Sequence, residues 1–120
     1  MISGDVIRVW WPFTQDRPGK VRPVLVIGAT SPGEDGELAV LCAMITASEK
    51  RLAEPAPHDA YITEWREAGL DRESIVRTRR LFTPEYRDIA KRDGMVVPSG
   101  RVSEATLDKA LNTVYELLGD

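Results

Sequence analysis

The stretch Pro18-Gly19-Lys20-Val21-Arg22-Pro23-Val24-Leu25-Val26-Ile27 decides the fold. Four consecutive large apolar residues, Val24 to Ile27, leave a strand without a polar face, so this strand is expected to be buried on both sides. Pro23 has no N–H to give to a ladder and belongs at the beginning of a strand, which sets the boundary between loop and sheet beside it. Arg22 stands at that boundary. It is held by a rigid element yet faces the solvent side of the fold, where a scaffold usually places its binding and catalytic groups.

Working outward, Asp5-Val6-Ile7-Arg8-Val9-Trp10-Trp11 is rich in β-branched and aromatic residues and reads as a first strand, stopped by Pro12. Alternation puts Trp10 and Trp11 on opposite faces, one for the core and one free to stack on a base. The polar loop from Phe13 to Lys20 then returns the chain antiparallel to the first strand. After Ile27 the segment Gly28 to Gly36 is dense in turn residues, and a second run without a polar face extends from Leu38 to Ile45, ending at Thr46-Ala47-Ser48. In an antiparallel pair the start of one strand and the end of the next lie at the same edge of the sheet, so Arg22 and Thr46 are expected to be neighbours.

Farther on, prolines and charges from Glu49 to Pro57 predict a loop, and Ala60 to Thr63 a short strand. Another strand is expected at Ser74 to Thr78, running with a bend into Arg79 to Thr83. A helical turn follows within Pro84 to Arg92, and Met95 to Val97 reads as a last short strand. The tail is a helix. Ser103 is a suitable N-cap, and Leu107, Ala110, Leu111, Val114, Leu117 and Leu118 recur at helical spacing up to Gly119. Short strands plus one amphipathic terminal helix predict a small curled antiparallel sheet or half-open barrel covered by that helix.

At 120 residues, 42% hydrophobic and 29% charged, the chain suits one globular domain, with no apolar run of the roughly 18 residues that a membrane span needs. The N-terminus shows no basic segment leading into an apolar one, which makes the cytoplasm the expected location. Cys42 is the only cysteine and His58 the only histidine, so a transition-metal cluster is not expected. Cys42 lies in an apolar run and should pack as a small buried hydrophobe. The net charge of −3 conceals an uneven distribution. Glu54 to Glu73 holds six acidic residues against two arginines, whereas Arg77 to Arg92 holds six basic residues against two acidic ones. The second block could be a solvated face, or a basic patch that joins Lys20 and Arg22.

Taken together, these residues resemble the MazF/PemK family of toxin endoribonucleases. The resemblance runs through Gly4-Asp5-Val6-Ile7, Trp11-Pro12-Phe13-Thr14, the stretch Lys20 to Ile27, and Met44-Ile45-Thr46-Ala47-Ser48, where Ala47 separates the family's Thr and Ser. It continues in Ile62-Thr63-Glu64-Trp65, Ala68-Gly69-Leu70, Ser74-Ile75-Val76-Arg77 and Leu81-Phe82-Thr83. It implies a mainly β, SH3-like barrel with a C-terminal helix, of the MazF/PemK/CcdB kind, filling residues 1–120 as a single domain and usually forming a homodimer. It further implies a cytoplasmic toxin that cuts single-stranded RNA, including mRNA, at short sequences without metal or cofactor. In that family the ribose 2′-hydroxyl attacks the adjacent phosphate, and a cognate antitoxin blocks the RNA groove.

Carried onto this chain, the resemblance makes Arg22, Thr46, Arg77 and Asp16 the catalytic candidates, and Lys20, Phe13, Ser48, Arg79 and Arg80 the RNA-binding ones. In-line attack builds charge on the equatorial phosphate oxygens. A planar guanidinium at Arg22 can meet two of them with paired hydrogen bonds, and the Thr46 hydroxyl can donate to the same oxygens. Arg22 could also protonate the leaving oxygen, although a guanidinium gives up its proton reluctantly. Many members carry an Asp two residues after the arginine that matches Arg77, where this chain has Arg79. Asp16 is the substitute base, because some members use an acidic residue in that loop. His58 matches no family motif and reads as a solvated loop histidine. The replacement at Arg79 motivates an alternative: a barrel that has lost its base and serves as a protein- or nucleic-acid-binding module, as related barrels do when they bind DNA gyrase.

Overall fold

The computed structural model describes residues 1–11, 19–30 and 39–119, and of Trp11 the backbone alone. Strands β1 (Asp5–Trp11), β2 (Lys20–Ala29), β3 (Val40–Thr46), β4 (Asp59–Ile62), β5 (Ser74–Phe82) and β6 (Gly100–Arg101) form one antiparallel sheet in the order β4-β5-β3-β2-β1-β6. The sheet curls into a half-barrel. A short helix α1 (Glu49–Ala53), a 3-10 turn (Tyr86–Asp88) and the C-terminal helix α2 (Glu104–Leu118) complete the described elements. No helix among the described residues is long and apolar enough to cross a membrane.

The sheet is covered on both faces. Val6, Leu25, Ile27, Ala43, Ile45 and Val76 pack with Ala110 and Val114 of α2, while Ile7, Val9, Val24, Val26, Val40 and Cys42 pack with Ile89 and the half-buried Phe82, Tyr86 and Val96. Successive residues of β2 therefore enter opposite cores, which is why Val24 to Ile27 can all be apolar and all buried. Cys42 is fully buried, and burial pushes its thiol up to about 12, so it packs as an inert hydrophobe.

Two segments differ from the sequence reading. Glu49 to Ala53 is helical rather than loop, and Tyr61 donates its hydroxyl to the Leu52 carbonyl at 2.9 Å, a hydrogen bond across eight intervening residues that no local pattern reveals. Met95 makes only an isolated bridge to Arg92, closing the Asp93-Gly94 turn in which both residues have positive φ. The last strand is instead β6, which pairs with the start of β1. Its position follows from a close backbone crossing. Gly69 sits at φ +72°, where a Cβ would collide with the Ser99 carbonyl, and a Cβ on Gly100 would strike the backbone of Ala68. The Ala68-Gly69-Leu70 motif is thus the point at which the 64–70 turn meets the approach to β6.

Helix α2 begins under a shared cap. Thr106 N–H donates to the Ser103 hydroxyl at 3.1 Å, while Glu64 Oε2 accepts from the Ser103 N–H and the Thr106 hydroxyl, each at 2.8 Å. Burial alone would raise the Glu64 carboxyl, but hydrogen bonds from Ser103, from its own backbone and from Thr106 outweigh it and hold the group below the usual carboxylate value. A depressed carboxylate contributes stability that is fully present above its unfolded-state value and lost as pH falls through the folded one. Glu64→Gln is therefore expected to cost about 1 kcal/mol at neutral pH, by analogy with other N-terminal caps. The difference from wild type should begin to shrink as pH falls through the ordinary carboxylate value of about 4.3 and go on shrinking as Glu64 is itself protonated. Thermal unfolding of both proteins across pH 3 to 7 measures this, and a gap that stays constant down to pH 3 would refute it.

Candidate nucleic-acid interface

A sheet buried on both faces can present polar side chains only where its strands run out from under the cores. That happens at one edge. Val24 faces Met44 in the β2–β3 ladder, Arg22 lies two residues before Val24, and Thr46 lies two residues after Met44. In the β3–β5 ladder Met44 faces Arg77 and Thr46 faces Ile75, making Arg77 the diagonal neighbour of Thr46. Strand alternation then puts Arg22, Thr46 and Arg77 on the same face.

Two concavities open at this edge. The larger, about 430 Å³, is lined by Lys20, Arg22, Thr46 and Ser48 together with Arg8, Asp71, Arg72 and Ser74. The smaller, about 270 Å³, is lined by Thr46, Ser48, Lys50, Arg51, Glu54 and Arg77. Thr46 and Ser48 belong to both linings, so the two adjoin and together make one depression. Five of the lining cations are arginines, whose forked donors suit the non-bridging oxygens of a phosphodiester.

Several of these groups are held in place. Arg8 donates from Nη2 to the Gly69 carbonyl at 2.9 Å, tying the cavity wall to the backbone crossing described above. Thr46 Oγ1 accepts from the Ser48 N–H at 3.2 Å, which leaves the threonine's own proton free to donate outward. Burial lowers the Arg77 guanidinium from its ordinary value, and the charges of Arg51 and Arg80 push in the same direction against the opposing pull of Asp59. Cations that depress one another in this way mark a locality of positive potential.

Of the sequence-derived candidates, the structure brings Lys20, Arg22, Thr46, Ser48 and Arg77 to this depression. Arg79 and Arg80 line neither concavity. Ala43 faces Leu81 while Met44 faces Arg77, so Thr78, Arg79 and Arg80 form a bulge with no partner in β3, and both arginines are exposed. The bulge is fixed by buried Thr78, whose hydroxyl donates to the His58 carbonyl, and His58 lines neither concavity. Phe13 and Asp16 lie outside the described residues. Of the tryptophan pair, Trp10 is 45% exposed and faces Val21, itself 50% exposed, in the ladder beside Lys20 and Arg22.

Sequence reasoning missed Arg8, Asp71, Arg72, Lys50 and Arg51. Arg8 carried a signal as the one charge in the apolar run from Val6 to Trp11, and Lys50-Arg51 did as a basic pair two residues after Ser48. Asp71 and Arg72 carried none, since their place depends on the Gly69 crossing.

A family model described as "PemK-like, MazF-like toxin of type II toxin-antitoxin system" matches residues 2–118. No curated protein matches the chain. Among solved structures, it is similar to MazF (Form-I) from Deinococcus radiodurans, at 14% identity and a TM-score of 0.65, over 100% of this chain and 97% of that one. It is also similar to an endoribonuclease in complex with its cognate antitoxin from a mycobacterial species, at 15% identity and a TM-score of 0.66, over 99% of this chain and 95% of that one. Likeness at such identity shows a shared fold.

Because Arg79 projects from a bulge outside the depression, Arg79→Ala is expected to change the affinity for a short single-stranded RNA by less than about twofold, whereas Arg77→Ala should weaken it about tenfold, or ~1.4 kcal/mol. Fluorescence anisotropy of labelled RNA compares them. Equal losses would mean that the bulge reaches the ligand.

Proposed function

The chain belongs to the PemK-like, MazF-like toxin family of type II toxin–antitoxin systems, and from that premise we propose that it is an endoribonuclease cutting single-stranded RNA by attack of a ribose 2′-hydroxyl on the adjacent phosphate. The observation that carries the reading is the cavity that gathers Arg22, Lys20, Thr46 and Ser48 with Arg8 and Arg72. A phosphodiester seated there meets guanidinium and hydroxyl donors on the oxygens that gain charge in the transition state.

The 2′-oxygen bonds to phosphorus as the bond from phosphorus to the 5′-oxygen breaks, giving a 2′,3′-cyclic phosphate and a 5′-hydroxyl. One proton leaves the attacking oxygen and one reaches the departing oxygen, so no co-reactant is consumed. Arg22 spans two phosphate oxygens, and Thr46 donates the proton left free by its Ser48 hydrogen bond. Asp71 is the one carboxylate among the described residues lining this cavity and is the acceptor it offers for the 2′-proton. Asp16, the loop candidate, lies outside the described residues.

A toxin of a type II toxin–antitoxin system has an antitoxin as its partner, and the mycobacterial endoribonuclease is in complex with its cognate antitoxin. An acidic antitoxin segment would compete with RNA for the cationic depression. Family membership also supports a cytoplasmic homodimer acting on mRNA.

The test is incubation of the protein with a long single-stranded RNA in excess EDTA, with mapping of the 5′ ends. Discrete cuts at a recurring short sequence, carrying 5′-hydroxyls, are expected. Arg22→Ala should slow cleavage by about 10²–10³-fold, the usual cost of removing a transition-state donor. Asp71→Asn should slow it by at least about 10²-fold if Asp71 is the base. RNA that is bound but left intact would defeat the proposal and favour a binding-only barrel.

A further inference from the structure

We propose that Lys50, Arg51 and Arg77, set against Thr46 and Ser48, form a second phosphodiester subsite, holding the phosphate that adjoins the cleaved one on the same RNA strand. The identity of the cleaved phosphate rests on the endoribonuclease reading above. The subsite itself rests on charge and continuity.

Charge comes first. Among the described residues the ion pairs are Arg87 with Glu85 and Arg101 with Asp5, so none of Lys50, Arg51 and Arg77 is within ion-pair distance of a described carboxylate, and Asp59, opposite Arg77 in the β4–β5 ladder, offsets the charge on Arg77 only in part. Glu54 is the single carboxylate in the lining of their concavity, and it stands beyond ion-pair range of all three. Three such cations facing a space of about 270 Å³ repel one another, and a polyanion relieves that repulsion while releasing its own counterions. A purely structural cluster would be expected to close ion pairs with the acidic groups beside it, Glu54 and Asp59.

Continuity decides the ligand. Thr46 and Ser48 line this concavity and the one that holds Arg22, so a strand seated in the first can reach the second across these two residues. The cations are also positioned. Helix α1 follows Ser48 directly, Leu52 N–H donates to the Ser48 carbonyl at 2.9 Å, and the Tyr61 hydroxyl holds the Leu52 carbonyl at 2.9 Å. Lys50 and Arg51 are thus fixed within one turn of the shared hydroxyls. Arg77 is fixed on β5, opposite Met44 in one ladder and Asp59 in the other. The subsite is built to hold the strand rather than to react with it.

The experiment uses a short RNA that contains the mapped cut sequence and a single 2′-deoxy sugar at the cut, which blocks attack. Its affinity for the full chain is measured from low to moderate salt. The double variant Lys50→Gln/Arg51→Gln is expected to bind at least about tenfold more weakly. Its log-affinity against log-salt slope should be shallower by roughly 0.7, the contribution of the one phosphate of a single strand that is no longer neutralised. With cleavable RNA the weakening should fall on KM rather than kcat. Glu54→Gln should move the other way and tighten binding, a response that a merely structural role would not give. Unchanged affinity and slope in both variants, with cleavage intact in the wild type, would overturn the subsite and leave the nuclease standing. So would weakened binding of an acidic antitoxin peptide with RNA affinity unaffected. If the wild type binds a single-stranded RNA without cutting it, the comparison is made with that RNA, and a weaker affinity and shallower slope in the double variant leave the subsite standing while the nuclease reading falls.

Discussion

Coverage of β2 on both faces is the constraint on which the remainder depends. Val24, Leu25, Val26 and Ile27 enter two different cores in alternation, and neither core has room for an unpaired polar group. Any residue that must touch water and substrate is displaced to the ends of the central strands. Arg22 precedes the buried run of β2, and Thr46 ends that of β3. The antiparallel register then brings both to one edge without any loop having to carry them. A site so placed is rigid because its backbone belongs to the best-buried part of the molecule.

The same constraint explains the irregularity of β5. Were its register with β3 unbroken, the residues after Arg77 would continue alternating into the cores, and two arginines could not. The bulge at Thr78, Arg79 and Arg80 turns both arginines out to solvent, sends the smaller Thr78 inward and satisfies its hydroxyl on the His58 carbonyl. Sequence distance from Arg77 is therefore a poor guide to spatial distance on this strand. A residue two positions later is not two positions farther along the groove.

Much of the fold was legible because its signals are periodic. The unbroken apolar runs marked two-sided burial, and the spacing of Leu107, Ala110, Leu111 and Val114 marked α2. The Arg22–Thr46 edge followed from antiparallel logic alone. What escaped were features whose cause is an encounter between distant segments. Helix α1 is short and leans on Tyr61, and β6 is located by the crossing of Gly69 with Ser99 and Gly100 with Ala68. Asp71 and Arg72 line the cavity directly after the Gly69 crossing, where Arg8 of the same lining donates to the Gly69 carbonyl. Arg51 and Arg77 belong to separate stretches of the sequence, and only the fold makes them neighbours.

The acidic net charge and the cationic depression are compatible because they serve different ends. A charge of −3 opposes indiscriminate binding to polyanions over the surface at large, while concave walls concentrate the local positive potential where a strand can enter. In the proposed division, chemistry and affinity reside on separable pieces of chain, Arg22 on β2 and Lys50 with Arg51 on α1, and the two linings share Thr46 and Ser48. Changes at the shared hydroxyls disturb both functions and cannot apportion them. Arg22 and the α1 cations sit on different elements, so the effects of changing them on transition-state stabilisation should add if the division holds. A coupling between them beyond about 0.5 kcal/mol would mean that holding the neighbouring phosphate also aligns the one being cut.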